Sequence, residues 1–74
     1  MKIEYDREAD ALYIQFCEAF VEESRDIEDG VVIDLDKEGH IIGVEILDAS
    51  KRFGLKAIAN ITIEGLPVEE RTGM

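Results

Sequence analysis

The sequence predicts an α+β fold that is mostly β: an antiparallel meander of about five strands with a short helix after its central hairpin. Three observations lead there. β-Branched residues crowd both sides of Asp36-Lys37-Glu38-Gly39 within Gly30 to Ser50. The N-terminal residues alternate polar and apolar on either side of an acidic break at Asp6 to Asp10. Asp48 to Gly54 begins with residues that can cap a helix and ends on a glycine.

Lys2 to Tyr5 and Ala11 to Phe16 form a first hairpin. A helix from Glu8 capped by Asp6 competes with it, because Arg7, Glu8, Ala9, Ala11 and Leu12 favour helix. Leu12, Ile14 and Phe16 nevertheless share one face at period two, which selects the strand. Val21 to Ile27 is a third strand whose charges suit a sheet edge.

The central hairpin rests on Val31, Val32, Ile33, Ile41, Ile42, Val44 and Ile46, whose stiff side chains fit a pleated surface. Gly39 supplies the left-handed residue of a three-residue loop and sets Asp36 opposite His40. The register then pairs Leu35 with Ile41, Asp34 with Ile42, Ile33 with Gly43, Val32 with Val44 and Val31 with Glu45. One face carries Val32, Ile42, Val44 and Ile46, and the other Val31, Ile33, Leu35, Ile41 and Leu47. A sheet apolar on both sides needs a cover on each.

In the helix that follows, Asp48 or Ser50 accepts the first amide hydrogens, Lys51 and Arg52 suit the negative end of the dipole, and Gly54 allows a left-handed exit. Leu55 to Ile63 offers a helical face in Leu55, Ile58, Ala59 and Thr62. Ile61-Thr62-Ile63 instead favours a final strand near Ala57 to Ile63. One small β-rich domain is expected over residues 1–66, with a loose tail over 67–74.

With 18 acidic residues against 8 Lys and Arg, the formal net charge is −10. Phosphate backbones are held by clustered cations, so direct nucleic-acid binding is disfavoured and a basic protein partner is favoured. The plainer reading of the same charge is solubility. Cys17 is the single cysteine, so no intrachain disulfide forms and a reducing cytoplasmic location is expected. Its neighbours predict ordinary packing, and Glu18 beside it argues against a nucleophile. Met1-Lys2-Ile3-Glu4 is unlike a signal peptide, and no apolar run approaches the ~20 residues of a membrane span.

YDREADALYIQF near the start, Asp29-Gly30, and VVIDLDKEGHIIGVEILDAS, with the run from Gly43 to Ser50 as its most specific part, resemble the YuzE-like family, domain of unknown function 2283. The resemblance implies a mostly antiparallel β fold with a short helical piece and no established activity, ligand or catalytic residue. It also implies an antitoxin-like role, since some relatives are encoded beside small toxins. The segment from Leu55 departs from the helical tail that such relatives lead one to expect.

Several residues suggest chemistry. Asp34-x-Asp36-x-Glu38-Gly39 followed by Glu45 approaches an EF-hand loop, but that loop needs helices on both sides and the flanks here are strands. The expected hairpin also puts Asp34 and Glu45 on opposite faces. Asp34, Asp36 and Glu38 could attract a divalent ion weakly and nonspecifically; no specific metal site or cofactor is predicted. Glu45 interrupts an apolar strand, where partial burial could raise a carboxylate's pKa, and Asp48 is the other candidate acid or base. The bland alternatives are a rim carboxylate and a helix cap. His40, at the turn, lacks nitrogen or sulfur partners for a metal. Ser24 and Ser50 have no base other than His40.

Glu45, Asp48, Ser50 and Asp34 are thus the candidate functional residues. The expected function is a noncatalytic interaction module, dimeric through an apolar sheet face and offering carboxylates to a basic partner. The alternative is a small acid/base or metal-dependent enzyme using Glu45, Asp48 and Asp34 at a subunit interface.

Overall fold

The computed structural model describes residues 1–67. The chain lays down β1 (Lys2–Asp6), β2 (Ala11–Gln15), β3 (Glu23–Glu28), β4 (Val31–Leu35) and β5 (Ile41–Leu47), then α1 (Ala49–Phe53) and α2 (Leu55–Ile58). All five strands join one antiparallel sheet in the order β1-β2-β5-β4-β3. β5, built of Ile, Val and Leu around one Gly and one Glu, therefore lies at the centre, between β2 and its own hairpin partner β4. β3, the most highly charged strand, is exposed along its whole length and forms an edge, as its composition demands.

The central turn forms as its residues dictate. Asp36 N–H donates to the His40 carbonyl at 3.0 Å, Gly39 N–H returns to the Asp36 carbonyl at 3.0 Å, and Gly39 has φ +86°. Beyond the turn the expected register holds for one pair, Leu35 with Ile41, and then shifts. A bulge between Asp34 and Leu35 pairs Asp34 with Gly43, Ile33 with Val44, Val32 with Glu45 and Val31 with Ile46. One residue of displacement transfers a strand's side chains to the other face.

That displacement overturns the expectation of a sheet apolar on both sides. Ile3, Ile14, Val44 and Ile33 form one row across the strands, and Tyr5, Leu12, Ile46 and Val31 the next row on the same face. The opposite face carries Glu4, Tyr13, Glu45, Val32 and Asp26 in one row and Lys2, Gln15, Gly43, Asp34 and Ser24 in another. One face is apolar and the other polar, the usual outcome for an antiparallel sheet. Leu12, Ile33, Leu35 and Ile42 are the buried strip of the apolar face, with Ala11 and Ala49 buried at one end of the sheet. Among the described residues no large side chain is fully buried.

Leu55 to Ile58 is helix, and the strand expected over Ala57 to Ile63 does not form. Ile58 N–H donates to the Gly54 carbonyl and Ala59 N–H to that of Leu55, so the apolar spacing of Leu55 and Ile58 outweighs the β-branched run that follows. Residues 59–67 are exposed. The principal contact of the two helices is with each other. Cys17 is exposed, contrary to the packing expected of it, because the chain leaves β2 at Gln15. From residue 68 the tail expected over 67–74 lies outside the described residues.

Candidate functional site

Two clusters of the same composition, each a tyrosine, an aspartate and a serine, organise the polar chemistry. The first sits at the end of the sheet. Asp10 closes the β1–β2 turn with a left-handed backbone (φ 52°), a conformation that aspartate tolerates better than most residues. Its Oδ1 accepts the Tyr5 hydroxyl at 2.6 Å and the Ser50 N–H at 3.0 Å, and its Oδ2 accepts the Ser50 hydroxyl at 2.7 Å. Its carbonyl accepts the Ala49 N–H at 2.9 Å. Asp10 thus caps the start of α1 from forty residues away. The expected cap, Asp48, occupies the N-cap position in a left-handed conformation (φ 54°) and makes no side-chain cap bond. Ser50 donates to the cap instead of acting as one.

Hydrogen bonds from Tyr5 and then from Ser50 hold the Asp10 carboxyl below the usual carboxylate range, and the same bond pushes the Tyr5 phenol up. A carboxylate stabilised in this way is a weak base. The Ser50 hydroxyl points its proton at that carboxylate, an arrangement suited to holding α1 in place.

Arg52 completes the attachment. Its guanidinium donates to the Leu47 carbonyl at 3.1 Å, to Glu28 Oε2 at 2.9 Å and to the Asp29 carbonyl. A Cβ on Gly30, whose φ is +85°, would stand 2.8 Å from the Arg52 guanidinium. Glycine at that turn satisfies both the backbone and the arginine.

The second cluster crosses the polar face. Tyr13 reaches from β2 over β5 to donate its hydroxyl to Asp34 Oδ2 at 3.0 Å, and Ser24 of β3 donates to Asp34 Oδ1 at 2.6 Å. The ring passes over Gly43, where an added Cβ would lie 2.5 Å from the Tyr13 oxygen and 3.3 Å from the Ile14 carbonyl. Burial and then the bond to Asp34 raise the Tyr13 pKa.

Glu45 stands beside Tyr13 and Val32 in the adjacent row and is half-buried. The bulge therefore brings Asp34 and Glu45 to the same face as diagonal neighbours, overturning the expectation that they oppose each other. Asp48 stands beyond the end of the sheet, at the start of α1. Of the four predicted residues, the structure groups Asp34 with Glu45 and separately ties Ser50 to Asp10.

At the central turn, Asp36, Glu38 and His40 can each turn one ligand atom to within 4.8 Å of the others. Asp36 Oδ1 already accepts the N–H groups of Glu38 at 3.0 Å and His40 at 2.9 Å, bonds that hold its pKa low. Glu38 and His40 are exposed, so the group is a solvated turn. Asp34, expected to share an ion with Asp36 and Glu38, is outside it.

Sequence reasoning did not single out Tyr5, Asp10, Tyr13 and Ser24 as partners. A lone carboxylate at Asp34 facing a strand glycine at Gly43 was the available signal for the second cluster. For the first, Asp10 and Ser50 carry no local mark of their pairing.

No solved structure matches the chain. Over 55 residues it is 40% identical to an uncharacterized protein of Methanocaldococcus jannaschii, covering 74% of this chain and 47% of that one. Over 54 residues it is 37% identical to a protein of Methanosarcina mazei provisionally named a hypoxanthine phosphoribosyltransferase, covering 73% of this chain and 43% of that one. The chain thus spans less than half the length of these curated relatives. Residues 2–50, all five strands and the first residues of α1, match the family described as protein of unknown function (DUF2283), and the chain belongs to that family.

Proposed function

We propose that this domain is a noncatalytic protein-interaction module whose acidic surface engages a basic protein, with an antitoxin-like binder as the sharper form. The observation that carries the reading is the polar face. Glu4, Asp26, Asp34 and Glu45 are spread across it with Lys2 as the one cation in their two rows. A formal charge of −10 reinforces that field and favours a cationic partner through steering and complementarity.

The tyrosine and serine hydroxyls that chemistry would recruit are engaged with Asp10 and Asp34. Asp48 stands apart from Asp34 and Glu45 within one copy, so the alternative of a carboxylate enzyme lacks a convergent site. The phosphoribosyltransferase name of one relative does not extend to this chain's chemistry, since a phosphorylated substrate would meet an acidic surface.

The test is purification of the full chain from native lysate at low and high salt, beside a Glu4→Lys, Glu45→Lys double variant. A stoichiometric basic protein, released by salt and lost with the variant, is the expected result. No such protein across several growth conditions, or one indifferent to both carboxylates, overturns the reading.

A further inference from the structure

We propose that the apolar face of the sheet is covered by the same face of a second copy, giving a two-layer dimer with both polar faces turned outward. The buried strip of Leu12, Ile33, Leu35 and Ile42 is bordered by Ile14, Val31, Val44 and Ile46, which are half-buried, and by Ile3 and Phe16, each 39% exposed. A one-layer sheet of this size needs an apolar partner layer. The helices make their principal contact with each other and residues 59–67 are exposed, so the rim around the buried strip stays open in a single copy.

Charge selects the occupant. Every strand residue in the rows Ile3-Ile14-Val44-Ile33 and Tyr5-Leu12-Ile46-Val31 is uncharged. Charges reach this face at the β3 edge, where Arg25 pairs with Glu23 at 2.8 Å and Glu28 with Arg52 at 2.9 Å. Two copies of a chain carrying −10 can therefore meet here without setting carboxylate against carboxylate. The polar face would oppose Glu4, Asp26, Asp34 and Glu45 to themselves. A basic protein finds no counter-charge on the apolar face, and an anionic membrane is repelled by the chain as a whole.

Area is consistent with this occupant. Five strands about 4.8 Å apart and about 17 Å long present roughly 400 Å² of flat sheet. The strip already buried within one copy adds little to this, so two such faces bury less than about 1,000 Å², the size of a weak, reversible interface. A face-to-face contact between identical patches is the isologous geometry of a two-fold dimer.

Sedimentation equilibrium of the full chain tests the proposal. The expected mass is about twice 8.3 kDa. Ile3→Glu and Phe16→Glu, at exposed positions of the face, should each weaken the dimer at least about tenfold while the circular dichroism stays unchanged. Val32→Glu, at a half-buried position in the polar row beside Glu45, should leave the dimer intact. Isotope-filtered NMR on mixed labelled and unlabelled protein should show intermolecular contacts among the Ile14 and Val44 methyls. A monomer up to millimolar concentration overturns the proposal, as does a monomer that partitions onto lipid vesicles. So does a dimer that survives both face variants. Any of these leaves the basic-partner reading standing, because that reading depends on the opposite face.

Discussion

The two tyrosine–aspartate–serine clusters use the same three residue types for different ends. Asp34 lies within a paired strand, beside its bulge, and accepts two side-chain hydroxyls, so its cluster laces together strands that are already joined by backbone bonds. Asp10 lies in a turn with a left-handed backbone and accepts a tyrosine, a serine and two main-chain amides of α1. The first cluster reinforces structure that exists without it; the second supplies bonds that α1 has no other way to make. Substitutions should therefore separate them, although both look like a carboxylate held by hydroxyls.

Asp10→Ala should have the largest effect, lowering Tm by roughly 10 °C, because a lost helix cap is compounded by the unpaired Tyr5 and Ser50 groups. A loss no greater than that of Asp34→Ala, measured by thermal melting, would break the comparison. Gly43→Ala comes next. The new methyl meets the Tyr13 ring and the Ile14 carbonyl, at a cost of about 1–2 kcal/mol by denaturant unfolding. A Tyr13→Ala background should remove much of that cost, and the double-mutant cycle measures how much.

The acid side of the stability profile sharpens the contrast further. The Asp10 carboxyl is depressed in the folded state, so its contribution is complete above its unfolded value of about 3.9 and is lost as pH falls through its lower folded value. Asp36 adds to the same loss through its bonds to the His40 and Glu38 amides. Melting temperatures followed down to pH 2 should fall less steeply in Asp10→Asn than in the parent. Tyr13→Phe removes one hydrogen bond and should cost about 0.5–1.5 kcal/mol. Ser24→Ala, at an exposed edge, should stay within about 0.5 kcal/mol, the smallest change of the series.

Local chemistry made much of the fold legible. Alternation placed β1 and β2, charge placed β3 at an edge, and Asp36 to Gly39 marked the central turn, because each of those signals lies within a few residues of its effect. The register beyond that turn was not legible. The bulge at Asp34 is marked in the sequence by Gly43 alone, whose spacing from the turn does not fix where the register shifts, and it reassigns Val32 and Glu45 to the polar face. After Leu55, a helical turn and a β-branched run compete over a short segment with no strand beside it, and the local helix forms. The site was harder still. Glu45, Asp34 and Ser50 were visible as residues out of place, whereas their partners became visible once β5 was seated beside β2. Tyr13 and Asp34 are 21 residues apart, and Asp10 and Ser50 are 40 apart.

That second separation bears on the order of assembly. A helix of five residues is far too short to persist alone, and the bonds that hold the start of α1 come from the opposite end of the chain. Its winding must therefore await arrival of the first hairpin against β5, making α1 a late event and a local reporter of sheet closure.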